Sequence, residues 1–394
     1  MGVGKGERLL FFLCLAAALL GLALIYSATR YDPDLHSLAA KQGVALAAGV
    51  GLCLVLQWVD VRGLLEGLWW LLPPCAVGLL LLLVPFGNDD GTGNRSWLAL
   101  PGGAFNLQPG EVVKVIFLLL LALQLRKLGE RGVNRPGSVA LLLLHVGGLC
   151  ALTYGVSGDI GMVAVYLGIY LVMLWSAGVH PLWLLAQVGA GVGGVVLLWP
   201  RLPEYVRSRF QVVWDHDADP LGTGFQQGRS LLAIGSGQVT GQGFLQGTQT
   251  QSPSASALPA RHTDFLFSVA GEELGLVGCL VILALLGAVL LRCVWLARRS
   301  RDPLFSLTAM GVAGMFGVQT VLNVGMCLYV APVVGVTLPF FSYGGSSLVM
   351  AFGAVGILCS LSQGKLGGNG SPLEGITAPG RGRLGTFPKR RYVP

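Results

Sequence analysis

Residues able to do acid–base chemistry are scarce in this chain, so the setting of each one is informative. Asp264 stands in RHTDFLFSVAGEELG, where a polar stretch gives way to an apolar one. A carboxylate there, beside Arg261 and His262, is placed to take a proton from a hydroxyl presented at a membrane boundary. The plainer reading is that Thr263 or Asp264 caps the following helix, where the helix dipole favours an acid. Glu111 and Lys114 in QPGEVVK are spaced i and i+3, on one face of a helix starting at Pro109. They either neutralise each other at the helix end or hold a polar headgroup. Asp159, in YGVSGDIGM, begins another apolar run and reads as a cap. Glu272 and Glu273 lie two turns beyond Asp264, about 12 Å along a helix axis, and are expected to face neighbouring helices. The glycine-rich GSGQVTGQG (235–243) lacks the preceding strand and following helix that a nucleotide loop needs, and reads as a flexible or re-entrant loop.

These groups must be positioned by apolar elements. Hydrophobic residues make up 53% of the 394 and charged residues only 11%, against about 25% charged in a soluble domain. The mean hydropathy is +0.69. A soluble protein of this size lacks the charge to cover its surface, so the pattern predicts an all-α integral membrane protein, a polytopic bundle of about ten transmembrane helices. Runs long enough to span fall at 8–27, 41–58, 65–85, 109–126, 137–154, 160–177, 181–199, 264–293, 304–328 and 346–361. The eighth is too long for a simple span, and its first turns are expected at the interface or tilted. The first follows Lys5 and Arg8 without a small-residue cleavage pattern, and reads as a retained span. The net charge of +7 comes with no cationic stripe interleaved with aromatics, which excludes nucleic acid as partner. The eight cysteines are scattered through apolar segments without a CxxC pair, and read as buried small hydrophobes rather than zinc ligands or disulfides.

With the N-terminus in the cytoplasm, the inner segments collect Lys5, Arg8, Arg62, Arg126, Lys127, Arg131, Arg135, Arg292, Arg298, Arg299 and Arg301, and the tail adds six more, seventeen of the 26 Lys and Arg. An even number of spans returns the basic tail to the same side. Two outer segments, 86–108 and 200–263, are too long for plain connectors. The second is a large extracytoplasmic loop between helices 7 and 8. Residues 1–361 are thus read as one ten-helix domain, and 362–394 as a basic, Gly/Pro-rich, disordered cytoplasmic tail able to touch anionic membrane lipid.

Four stretches carry a specific resemblance: SWLALPGGAFNLQPGEVVKVIFLLLLA, GFQQGRSLLAIGSGQVTGQGFLQGTQTQ, RHTDFLFSVAGEELGLVG and LNVGMCLYVAPVVGVTLPFFSYGGSSLV. In order and spacing they resemble the SEDS family (shape, elongation, division and sporulation), the RodA/FtsW/SpoVE group, and the wording GTQTQ and RHTDF lies nearer RodA. The resemblance implies ten transmembrane helices and a peptidoglycan glycosyltransferase at the outer face of the bacterial cytoplasmic membrane. It implies lipid II as substrate and a class B penicillin-binding protein as partner. The family's catalytic aspartate falls on Asp264. Candidate substrate-binding positions are Arg95, Trp97, Glu111, Lys114, Asp159, Gln226, Ser230, His262, Ser342 and Ser346, together with the loop arginine Arg207. Three departures stand out: Gly110 replaces the family's serine, Asp159 alone matches its QPD, and Ala260 follows Leu258-Pro259 where an acid is usual.

The implied mechanism has Asp264 take the acceptor hydroxyl proton in a single displacement with inversion. Charge on the departing polyprenyl diphosphate would be met by Arg95, Lys114, Arg207, Arg209, Arg229 or Arg261, or by a divalent cation, Mg or Mn. No other cofactor is called for, because the substrate carries its own leaving group. A lipid II flippase and a non-enzymatic scaffold for a penicillin-binding protein stand as alternatives.

Overall fold

The computed structural model describes residues 5–31, 35–88, 94–99, 106–216, 219, 222–254 and 256–363. Eight of its helical spans are long and apolar enough to cross a membrane. They include α1 (Lys5–Thr29), α2 (His36–Leu56), α7 (Pro136–Ser157), α9 (Pro181–Leu198), α12 (Leu266–Arg299), α13 (Pro303–Cys327) and α14 (Gly345–Gln363). The third span is broken into α3 (Val61–Leu68), a 3-10 turn (Trp69–Leu71), α4 (Leu72–Leu81) and α5 (Leu83–Phe86), because Pro73 and Pro74 cannot continue a helix interior. The charged α6 (Pro109–Arg131) and the shorter α8 (Ile160–Ser176) complete the expected ten. The protein is a multi-pass membrane bundle of helices.

α13 and α14 occupy the centre, whereas α9 buries no residue and lies outermost. Fully buried Phe117, Tyr166, Phe316 and Phe352 fill the space between the central helices. Six of the eight cysteines are buried as expected, but Cys75 is exposed on the apolar flank of α4. At one end of the bundle, ion pairs join Arg62 to Asp302 and Arg126 to Glu66, tying α3 to the start of α13 and to the last turns of α6. The functional residues gather at the other end.

There the described residues of the long connectors form regular elements. Within 86–108 a small antiparallel sheet forms from β1 (Gly87–Asn88), β2 (Trp97–Ala99) and β3 (Asn106–Leu107), with Asn88 opposite Trp97 and Ala99 opposite Asn106. It is a departure from the purely helical expectation. Positions 89–93 and 100–105 of that segment, and the tail reading from 364 onward, lie outside the described residues. Within 200–263 two helices form, α10 (Glu204–Gln211) and α11 (Thr223–Ser236). Buried Gln227 of α11 donates to the Met326 and Ala331 carbonyls (3.0 and 2.8 Å) at the end of α13, which draws the connector back into the bundle.

The over-long eighth span is explained by a break. Gly275 has φ 66 and ψ −164, so α12 is a stub, 266–274, followed by a full span. The glycine-rich segment inserts at the break. Gln242 and Gly243 donate to the Glu272 and Glu273 carbonyls (2.9 and 3.0 Å), and Leu276 and Val277 donate to those of Gln238 and Val239 (2.9 and 3.1 Å). The close packing at the break gives a reason for the glycines. A Cβ at Gly241, where φ is +81, would stand 2.2 Å from the Glu273 carbonyl oxygen. Gly241→Ala is therefore expected to destabilise the protein by about 2–4 kcal/mol, from left-handed strain plus overpacking. A thermal melt in detergent that matched wild type would contradict this.

Candidate active site

Asp264 sits on a tight turn made by residues 260–265. Ala260 adopts φ 48, and its carbonyl accepts from both Thr263 N–H (3.1 Å) and Phe265 N–H (3.2 Å). The main chain of the turn is held from two other elements. Asn323, fully buried on α13, donates one Nδ2 proton to the Asp264 carbonyl (2.8 Å) and the other to that of Val336 (2.8 Å). Tyr343, just before α14, donates its N–H to the His262 carbonyl (2.9 Å), and the two rings pack edge to face at 5.8 Å. On α2, Gln42 clasps the same connector, donating to the Ser342 carbonyl and accepting from Gly344 N–H, both at 3.2 Å.

Asp264 lines a cavity of about 630 Å³. The β2 strand contributes Trp97 to its wall, α6 and the residue before it Glu111 and Gln108, the entry to α8 Asp159, and α11 Gln226. His262, Thr263, Gln319, Lys41 on α2 and Arg209 on α10 add to its polar surface. Asp159 caps α8, accepting from Met162 N–H (2.8 Å), while Ser96 Oγ (3.2 Å) and Gln108 Nε2 (3.1 Å) donate to its other oxygen. Burial pushes its carboxyl above the usual carboxylate range. The three hydrogen bonds pull it back down, and the nearby Glu111 charge adds to the rise. Glu111 and Lys114 form a buried ion pair at 2.5 Å. Lys41 and Arg209 have no carboxylate partner among the described residues. A pocket with carboxylates on two walls and two cations facing inward can deprotonate a hydroxyl and hold an anion at once.

The model of the FtsW/RodA/SpoVE family, described as a cell cycle protein, matches residues 7–366. The chain belongs to this family. It is 33% identical to the "probable peptidoglycan glycosyltransferase FtsW" of Geobacter metallireducens, over 91% of this chain and 95% of that one. Among solved structures, a chain from a peptidoglycan synthase complex that coordinates polymerization and crosslinking is 32% identical, with a TM-score of 0.75 over 90% of this chain and 97% of that one. The rod shape determining protein RodA of Thermus thermophilus is 31% identical, with a TM-score of 0.65 over 90% and 96%.

Of the catalytic and substrate-binding candidates, the cavity brings together Trp97, Glu111, Asp159, Gln226, His262 and Asp264. The others lie off its wall. Lys114 is 3% exposed, directed into its pair with Glu111. Ser230 is spent on Ser268 Oγ (2.5 Å) and the Cys327 carbonyl (2.8 Å), and Ser342 Oγ accepts from Leu338 N–H (2.9 Å). Ser346 Oγ meets Gln108 N–H at 3.4 Å, where it helps fix the start of α6. Arg95 is exposed beside the sheet. Arg207 is two residues from Arg209 on α10, about 200° around the helix, so Arg209 reaches the cavity in its place. Arg261, considered above as a cation for the leaving group, is buried, with Nη1 on the Thr250 and Ser252 carbonyls (both 2.8 Å).

Lys41, Asn323 and Gln319 are the family chain's unforeseen participants. Each is a polar residue at the edge of or inside an apolar span, the signal that singled out Glu111 and Lys114. No three His, Cys, Asp or Glu side chains converge to hold a metal among the described residues. The donor set among the described residues does not make a resident metal cage.

Proposed function

We propose that this chain is a peptidoglycan glycosyltransferase that polymerises lipid II at the outer face of the cytoplasmic membrane. The observation that carries this is Asp264 on a main chain pinned from α13 and the α13–α14 connector, facing a polar cavity with Lys41 and Arg209 on its walls. The names of the relatives support the same activity. Charge supports an extracytoplasmic site and cytoplasmic termini: the cavity lies at the end of the bundle away from Arg62, Arg126, Arg131 and Arg298, as the excess of cations on the inner side requires.

In the proposed reaction the 4-hydroxyl of the acceptor sugar attacks the anomeric carbon of the lipid-linked donor. Asp264 takes the hydroxyl proton as the new C–O bond forms. The bond to diphosphate breaks on the opposite side, so an α-linked donor gives a β-linked product. Lys41 and Arg209 take the negative charge that builds on the leaving polyprenyl diphosphate. Mg binds readily through one or two carboxylates together with substrate phosphates, so a divalent cation at this site would arrive with the diphosphate. A class B penicillin-binding protein is proposed as partner, supported by the likeness to a chain of a peptidoglycan synthase complex.

Release of polyprenyl diphosphate from radiolabelled lipid II, one per linkage formed, tests the reaction. Release without linkage, or neither event with the partner present, contradicts it. Lys41→Gln and Arg209→Gln are each expected to lower kcat/KM about 10-fold, the value of one charge-assisted hydrogen bond. Unchanged kinetics in the double variant would remove these residues from the diphosphate site. The polar groups gather at one end of the bundle, which favours surface chemistry over passage through it. Transport of dye-labelled lipid II into liposomes by an inactive polymerase would favour the flippase reading instead.

A further inference from the structure

The stub of α12 ends in two adjacent carboxylates, Glu272 and Glu273, both fully buried, and the reaction above uses neither. A buried carboxylate is tolerated only where donors surround it, so the source of those donors shows what each acid holds. Glu273 accepts from side chains: Ser27 Oγ of α1 (2.7 Å) and Gln251 Nε2 (2.6 Å). Glu272 is held chiefly by the main chain. It accepts from the N–H groups of Gln249 and Thr250, both at 2.8 Å, with the Thr250 hydroxyl added at 2.6 Å.

The carbonyl of that same Thr250 takes Nη1 of Arg261, which also reaches the Ser252 carbonyl. Arg261 and Thr250 are themselves buried. An anion and a cation therefore grip residue 250 from its two sides, and the cation belongs to the turn that carries Asp264. That turn needs outside restraint, because Ala260 sits at φ 48, a conformation unfavourable for a residue with a Cβ. Asn323 and Tyr343 hold the turn on the side of α13 and α14. Arg261 holds it on the other, through a loop whose main chain is fixed by Glu272.

We propose that Glu272 is a positioning residue for the glycosyl transfer: through residues 249–252 and Arg261 it fixes the turn at 260–265 and so aims the Asp264 carboxylate into the cavity. The proposal rests on Asp264 as the base. Its charge is essential to the role. A glutamine at 272 keeps the shape but turns an NH2 group toward N–H donors, freeing the loop that Arg261 grips.

The test uses the full-length chain in detergent with its class B penicillin-binding protein partner and lipid II, comparing wild type, Asp264→Asn, Glu272→Gln, Thr250→Val and Glu273→Gln. Rates are taken per folded molecule, from size-exclusion and thermal profiles. Glu272→Gln is expected to lower kcat roughly 10- to 100-fold with KM within about twofold, as misplacing a reacting group does. Thr250→Val, which loses only the hydroxyl contact, should lower kcat about 3- to 10-fold in the same sense. Glu273→Gln, equally buried but bonded to the side chains of Ser27 and Gln251 rather than to the loop's main chain, leaves the N–H groups of 249 and 250 on Glu272, and should lower the melting midpoint with kcat within about twofold.

If Glu272→Gln behaves like Glu273→Gln, less stable but with wild-type kcat, the positioning role is overturned. Should Glu272→Gln not fold, Thr250→Val decides: wild-type kcat there overturns the proposal, and a selective fall in kcat sustains it. The underlying reading fails separately. Full activity in Asp264→Asn overturns base and positioning role together, whereas inactive Asp264→Asn with fully active Glu272→Gln and Thr250→Val removes only the positioning role.

Discussion

Asp264→Asn is expected to abolish measurable polymerisation while leaving the protein folded and able to bind lipid II. The substitution keeps the shape of the side chain and every main-chain contact of the turn, because Asn323 and Tyr343 bond to carbonyls at 264 and 262 rather than to the carboxylate. What is lost is the proton acceptor. General-base catalysis contributes about 10²–10⁴-fold, and the loss should fall on kcat, with KM little changed. Asp264→Glu retains the acid but moves it by one methylene in a cavity of about 630 Å³, and should keep a small part of the rate. Substrate binding, measured by displacement of labelled lipid II, separates this from collapse of the site. Equal loss of binding and turnover would mean that Asp264 holds substrate rather than accepting its proton.

Lys114→Met carries the second large effect, on stability. Lys114 and Glu111 are 3% and 4% exposed and meet at 2.5 Å. Removing the cation leaves Glu111 buried and uncompensated, a change that costs about 3–5 kcal/mol where such pairs have been broken. The double variant Glu111→Gln with Lys114→Met removes both charges, and should recover most of that loss. A double-mutant cycle of melting midpoints in detergent measures the coupling. Additive effects would contradict a buried, mutually dependent pair.

The ten spans were legible because lipid demands long apolar runs, and those found at 41–58, 181–199 and 304–328 match α2, α9 and α13 closely. Asp264 was legible from the RHTDF segment and its place at a polar-to-apolar boundary. The choice among cations was not. Arg207, Arg209, Arg229 and Arg261 all lie in one polar stretch, and only the turns of α10 and the bonds of Arg261 to the Thr250 and Ser252 carbonyls decide which faces the cavity. Lys41 was hidden inside a span boundary. The glycines at 237 and 241 gave no hint of their partner, because the break they serve, at Gly275, lies more than thirty residues on. Two adjacent acids at 272 and 273 read alike in the sequence, and their different donors separate them.

The proposed chemistry is a single displacement in which Asp264 takes the hydroxyl proton and a lipid-linked diphosphate leaves. The measurement that tests it most directly is gel separation of glycan strands made from purified lipid II, by the wild-type chain and by Asp264→Ala, each with and without a class B penicillin-binding protein. The expected result is a ladder of glycan strands from wild type, strongest with the partner, and none from Asp264→Ala. A ladder of equal strength from Asp264→Ala would contradict the assignment of the base. No ladder from folded, partner-bound wild type would contradict the glycosyltransferase itself.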